Sequence, residues 1–409
     1  MKLGLENLLT DPHSLSQLKG RRLALLGHPA SVDQNLRHAL DLLVANKNLN
    51  VTCAFGPQHG MRGEKQDNMV ETADYLDPAH KIPIFSLYGE VRRPTDKMMS
   101  HFDVVLIDLQ DIGTRIYTFV TTLRYMLEAC ATHKKEIWIL DRPNPVGRPI
   151  EGTCLRPGWE SFVGAGPIPM RHGLTMGELA LWFKKTLKLD VALKVIAMTG
   201  YDPSSSPGFG WPAGQLAWVN PSPNAPNLNM ARCFSGTVLV EGATLSEGRG
   251  TTRPLEVMGA PDLDHEQILK VMQSLDENFC ADSKNKSWLA GAKLRLCYFQ
   301  PTFHKYSGQL CNGIQIHAEA PFYSHEDFRP YRLMALYFKA IRQMKNDYPI
   351  WRNFHYEYEK ERLAIDLLTG GVELREWVDE KNSTMQEFEQ LLKPDEVGWI
   401  EERRDCLLY

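Results

Sequence analysis

The chain is predicted to be an α/β protein: a parallel sheet with both faces covered, followed by a smaller α+β domain. Three observations predict this. Short, continuously apolar segments alternate with helix-patterned ones through the first half, the mark of strands buried on both faces. Polar clusters follow those apolar segments directly, where the ligand loops of an open α/β sheet belong. A Gly-, Pro-, Ser- and Asn-rich crossing from Tyr201 to Asn229 then separates a second set of elements, which divides the chain into domains at 1–230 and 231–409.

The elements follow in order. Arg22–Leu26 is a first strand, and Leu36, Leu40 and Leu43 give helical spacing over Asn35–Val44. Asn50–Phe55, Ile84–Leu87 and Val104–Leu109 are further strands. A helix over Tyr117–Cys130, a strand over Glu136–Leu140, a helix over Met176–Leu187 and a strand over Ala192–Ile196 complete the first half. Thr175 followed by Glu178 fits a capping box. Trp211 and Trp218 make the crossing too aromatic for a flexible linker, so it reads as an ordered loop that helps wall a pocket. Beyond it, Gly236–Val240 reads as a strand, His265–Leu275 and Tyr331–Met344 as helices, and Lys293–Phe299 and Gly313–His317 as strands. Leu363–Tyr409 reads as helical.

The 409 residues are 43% hydrophobic and 23% charged, an ordinary globular composition, and the net charge of -4 supplies no basic field for nucleic acid. The apolar runs are too short to span a bilayer. No leader pattern is read at the N-terminus, so a cytoplasmic protein without membrane insertion is expected. The eight cysteines are scattered without a CxxC pair, and reduced thiols are expected.

Polar clusters follow three strands: Gln58 to Gly63 (QHGMRG), Gln110 to Arg115 (QDIGTR) and Asp141 to Pro145 (DRPNP). His59 is suited to proton transfer and Arg62 to clamping a carboxylate. Asp111 either works in a cleft or caps the following helix, with Arg115 as an ion-pair partner. Arg171 and His172 face the loop before the capping box. Glu247 sits in a turn dense in glycines, hydroxyls and arginines, Ser246 to Arg253; a carboxylate beside arginine keeps a low pKa. Neither GxxxxGK[ST] nor a strand-to-helix GxGxxG occurs, so no nucleotide cofactor is expected. His304, Lys305 and His317 lack metal-ligand spacing and read as core or contact residues, with no metal expected.

GPQHGMRG (56–63), DLQDIGTRIYTF (108–119), LDRPNPVGRPIEG (140–152), RHGLTMGELA (171–180), EGATLSEGRGTTRPLE (241–256) and PTFHKYSGQLCNGIQIH (301–317) together resemble the NamZ family of exo-β-N-acetylmuramidases. The resemblance implies a Rossmann-like N-terminal domain, a cleft at the domain border, and release of terminal β-linked N-acetylmuramic acid from peptidoglycan fragments, with a small glycan or muropeptide as partner. Under it, Asp111 and Glu247 are the expected catalytic carboxylates, with His59 and His172 relaying protons or positioning substrate. The lactyl carboxylate would meet Arg62, Arg171 or Arg249. Gln58, Glu64, Gln110, Arg115, Asp141, Asn144, Thr251 and Arg253 complete the expected substrate contacts. The family pattern has Glu where this chain has Gln58, and an amide cannot transfer a proton. Glu64, Asp111 and Glu247 are then the contenders for the acid. Two alternatives stay open: hydrolysis or transfer of another N-acylated or carboxylated sugar, and a muropeptide-binding protein without turnover.

Overall fold

The computed structural model describes every residue except 64, 66–68 and 358. Twelve strands are present among the described residues: β1 Arg22–Gly27, β2 Asn50–Gly56, β3 Tyr75–Leu76, β4 Pro83–Ser86, β5 Val104–Asp108, β6 Glu136–Leu140, β7 Glu151–Cys154, β8 Pro169–Arg171, β9 Ala192–Ile196, β10 Val257–Ala260, β11 Lys293–Phe299 and β12 Cys311–His317. Seven form one sheet in the order β3-β4-β2-β1-β5-β6-β9, in which all but the short β3 run parallel. Numbering the six parallel strands by sequence gives 3-2-1-4-5-6, the Rossmann order, with its switch point at the carboxyl ends of β1 and β5.

Side-chain alternation covers both faces. Leu26, Phe55, Val105, Ile107, Ile137 and Ile139 join the core packed under the Phe119–His133 and Met176–Thr186 helices. Leu23, Leu25, Ala54, Leu106, Trp138 and Leu140 face the Gly4–Thr10, Pro12–Leu18 and Ala39–Ala45 helices. Thr175 and Glu178 form the expected capping box.

The antiparallel sheet β10-β12-β11 and the His265–Cys280 and Pro330–Met344 helices make up the second half. The two halves are tied together. Buried Glu151 on β7 accepts the backbone N–H groups of Tyr331 and Arg332 at the start of the Pro330–Met344 helix. The terminal Met385–Arg403 helix returns to the first half, where Trp399 Nε1 donates to the His172 carbonyl (2.8 Å).

One expectation is corrected and another sharpened. Gly236–Val240 is not a strand: Leu228–Thr237 is a helix, capped by Asn227 and continued by a 3-10 turn over Val238–Gly242. Every residue from Asn229 to Gly242 is buried, the polar side chains Asn229, Arg232 and Glu241 included, so polarity here does not trace a solvent face that would reveal the helical period. The crossing lines the cleft through Ser222 and Asn224, not through Trp211 and Trp218. They pack on each other, ring centroids 5.0 Å apart, in a small core with Leu3, Met198 and Tyr201.

Candidate functional site

The loops after β2 and β5 meet the crossing loop and the second half at a cleft. The unoccupied space there is about 490 Å³, open solvent at the mouth included. Gln58 and His59 come from the β2 loop, Tyr117 and Thr118 from the β5 loop, and Ser222 and Asn224 from the crossing. The second half supplies Phe234, Glu241, Arg249, Tyr356 and Glu357. Apolar groups, among them Ile116, Val163, Met230 and Leu255, surround these polar ones.

Two carboxyl groups reach this cleft in different electrostatic settings. Glu241 is held by cation and hydroxyl: Arg249 approaches one oxygen at 2.6 Å and the Tyr356 hydroxyl donates to the other at 2.7 Å. Among the described residues Glu357 has no cation within ion-pair distance. It accepts from the Tyr88 hydroxyl (2.9 and 3.1 Å) and, at 3.4 Å, from the Gln58 amide. Gln58 is oriented in turn by the Thr118 hydroxyl, which donates to Oε1 at 2.6 Å. Burial pushes the Glu357 carboxyl up to about 7, with the Glu241 charge adding to the rise and Tyr88, Arg92 and Gln58 opposing it. His59 and Glu357 both adopt positive φ, 70° and 48°, a region L-residues seldom occupy unless the surroundings impose it.

Glu247 lies one layer behind the wall. It is 2.9 Å from Lys305 Nζ, 3.1 Å from His304 Nδ1 and 3.4 Å from Arg249 Nε. Burial raises its pKa, but Lys305, His304 and Arg249 more than reverse this and hold it well below the usual carboxylate range. Lys305 also donates to the Val240, Ala243 and Leu245 carbonyls. The His304–Lys305 pair therefore pins the Glu241–Arg253 segment from beneath.

Of His59, Asp111 and Glu247, which were expected to share one hollow, His59 lines it. Asp111 is turned away because its Oδ2 accepts the Gly113 N–H at 2.7 Å and faces His172 Nε2 at 3.3 Å. The turn depends on Gly113, φ +77°, where a Cβ would lie 2.4 Å from Asn144 Oδ1. His172 is fully buried beside Asp111. Arg115 does not pair with Asp111; it is buried and donates to the Thr153, Ile168 and Leu368 carbonyls.

The other expected contacts are dispersed. Gln110 donates to the Asp111 and Pro143 carbonyls, and Asn144 to that of Leu174. Asp141 accepts from Gly177, Thr175 and Tyr409. Arg171 is buried against the Val146 carbonyl, and Arg62 pairs with Asp77 at 3.3 Å on the surface. Thr251 closes its own turn onto Gly248, and Arg253 pairs with Glu256. Arg249 is the one of the three expected lactyl-binding arginines at the cleft. Glu64 lies outside the described residues. The sequence reading missed Glu357, Tyr88 and the wall position of Glu241. The one signal for Glu357 is its place in an aromatic run, Trp351 to Tyr358.

A Rossmann-ordered sheet whose strand-end loops close a cleft over two carboxyl groups of unlike environment defines an enzyme equipped for acid–base hydrolysis. The N-terminal family model of the exo-beta-N-acetylmuramidase NamZ matches residues 23–229, and its C-terminal model matches residues 232–409. The chain belongs to the NamZ family. It is 38% identical over 318 residues to the peptidoglycan beta-N-acetylmuramidase NamZ of Bacillus subtilis (strain 168), spanning 78% of this chain and 72% of that protein. Crystal structures of two DUF1343 family proteins from Bacteroides fragilis NCTC 9343 share the fold. One has a TM-score of 0.83 at 27% identity and the other 0.73 at 26%; each comparison covers 100% of this chain and 98% of the other.

Proposed function

We propose that the cleft between Gln58–His59 and Glu241–Tyr356–Glu357 is where this glycoside hydrolase releases a terminal β-linked N-acetylmuramic acid from peptidoglycan-derived fragments. The observation that carries the assignment is the pair of cleft carboxyls. Glycoside hydrolysis commonly calls for one group that stays ionised and one that holds a proton near neutrality. Glu241, bound by Arg249 and Tyr356, suits stabilisation of the positive charge that develops at the anomeric carbon. The apolar wall and Tyr117 suit the sugar face.

Asp111 and His172 are read as supports of the β5 loop, which delivers Tyr117 and Thr118 to the cleft. The two halves are read as domains meeting near residue 230, a division the ranges of the two family models support. Action on recycled fragments in the cytoplasm belongs to the same proposal. Its support is that all eight cysteines are free thiols, as a reducing compartment keeps them. No helix among the described residues is long and apolar enough to cross a membrane.

The test is hydrolysis of paired chromogenic glycosides by the purified protein. Release from the β-N-acetylmuramide, with little from the β-N-acetylglucosaminide, is expected. Release from the glucosaminide alone would displace the proposed specificity.

A further inference from the structure

We propose that Glu357 is the proton donor to the departing glycosidic oxygen, with Gln58 and Tyr88 as the positioning residues that aim it. This rests on the reading of the cleft as a glycosidase site. Three geometric observations carry it. The side chain lines the same cleft as an acid already engaged by Arg249 and Tyr356. Among the described residues its side-chain hydrogen-bond partners are two neutral donors: the Tyr88 hydroxyl reaches both oxygens, and the Gln58 amide reaches Oε1. Its backbone is held at φ 48°, an unfavourable conformation for glutamate that fixes where the carboxyl points.

Burial keeps the proton on Glu357 to about pH 7, so the acid form is present where the reaction needs it. In the step, the Glu357 O–H bond breaks as its proton passes to the bridging oxygen. The bond from that oxygen to the anomeric carbon cleaves, and its electron pair leaves with the alcohol. Water forms the new bond at the anomeric carbon. The proton that water sheds to solvent is replaced on Glu357, so the carboxyl ends as it began. No other co-reactant is consumed.

Gln58 and Glu357 are 299 positions apart in sequence yet in side-chain contact. A carboxyl at position 58 would therefore occupy nearly the same space, and this supplies the control. Three proteins are compared, the wild type, Glu357→Gln and the double variant Gln58→Glu/Glu357→Gln, on two substrates. One substrate is the 4-nitrophenyl β-N-acetylmuramide, whose leaving group needs no proton. The other is the muramyl-glucosaminyl disaccharide, whose leaving group does.

Glu357→Gln is expected to lose kcat/KM by about 100-fold or more on the disaccharide and by less than about tenfold on the nitrophenyl glycoside. It should also lose the alkaline limb of the pH profile near 7. The double variant should recover part of the disaccharide activity. Equal losses on both substrates, or an alkaline limb that survives in Glu357→Gln, would overturn the assignment. A double variant no better than the single one, with wild-type-like unfolding, would also count against it. Wild-type protein inert on both substrates would instead reject the functional reading, and this proposal with it.

Discussion

Two acidic clusters sit beyond the carboxyl ends of the strands, and they are built to opposite ends. In the Asp111–His172 cluster the carboxylate faces a ring nitrogen and a backbone N–H, both partners are sealed, and neither lines the cleft. In the Glu241–Glu357 cluster the carboxyls lie in the wall of the cleft. One is bound by a cation, and the other is left with neutral donors and a raised pKa. Burial alone does not mark a site, and neither does an orphaned polar atom: Asp111 Oδ1 and His172 Nε2 lie buried with no hydrogen-bond partner among the described residues, yet neither residue lines the cleft. What distinguishes the second cluster is an acid whose proton is kept rather than neutralised by a cation.

The sharpest break in this comparison comes from the layer beneath the cleft. Glu247→Gln takes from buried Lys305 the carboxylate it pairs with, while Arg249 keeps Glu241, and this should cost about 3–5 kcal/mol of unfolding free energy. Urea denaturation measures it. The sign with pH follows from the depressed pKa of Glu247. Its stabilisation is complete above the ordinary carboxylate value and is lost as pH falls toward the folded value. The variant should lack that share of acid sensitivity. A cost below about 1 kcal/mol would show that the cluster does not hold the segment.

Next in size is Glu241→Gln. The amide keeps the shape but not the charge facing the anomeric carbon, and kcat/KM should fall about 100-fold or more, as for other preorganised electrostatic groups. Circular dichroism should stay unchanged. Activity within about tenfold of wild type would remove Glu241 from the site.

The sheet was largely legible in the sequence. Glu136–Leu140 was read to the residue because a buried parallel strand is a continuous apolar run bounded by polar residues; Ala192–Ile196 was read as well, although this edge strand is part-exposed and carries Lys194. The same rule misread Gly236–Val240, since the end of a buried helix and the 3-10 turn that continues it carry an apolar run too. The site was legible only in part. The β2 and β5 loops that supply Gln58, His59 and Thr118 were found because sheet topology sends such loops to one rim. Glu357 was not, because Tyr356 to Glu361 alternates acids, aromatics and lysine like a solvated surface stretch. Only the long-range fold sets it against Gln58 and Tyr88.

Asp111→Asn tests the first cluster directly. The loss of a charged acceptor beside His172 and Gly113 should cost about 1–3 kcal/mol of stability, while kcat/KM stays within about tenfold of wild type. A loss of 100-fold or more in folded protein would move Asp111 into the chemistry and erase the contrast between the clusters.

The smallest effect is expected at Arg62, and it separates two meanings of a conspicuous arginine. Its side chain is 40% exposed and pairs with Asp77 at 3.3 Å and Asp41 at 3.9 Å. Asp77 keeps other partners when the arginine is gone, since its Oδ1 accepts the Ala79 and His80 N–H groups. Arg62→Ala should therefore shift stability by less than about 1 kcal/mol, as exposed pairs do. If Arg62 instead held the lactyl carboxylate, the variant would raise KM for the muramide while leaving the glucosaminide untouched, because only the former carries that charge. Unchanged KM for both substrates is expected, and it would leave Arg249 as the cleft arginine of the three.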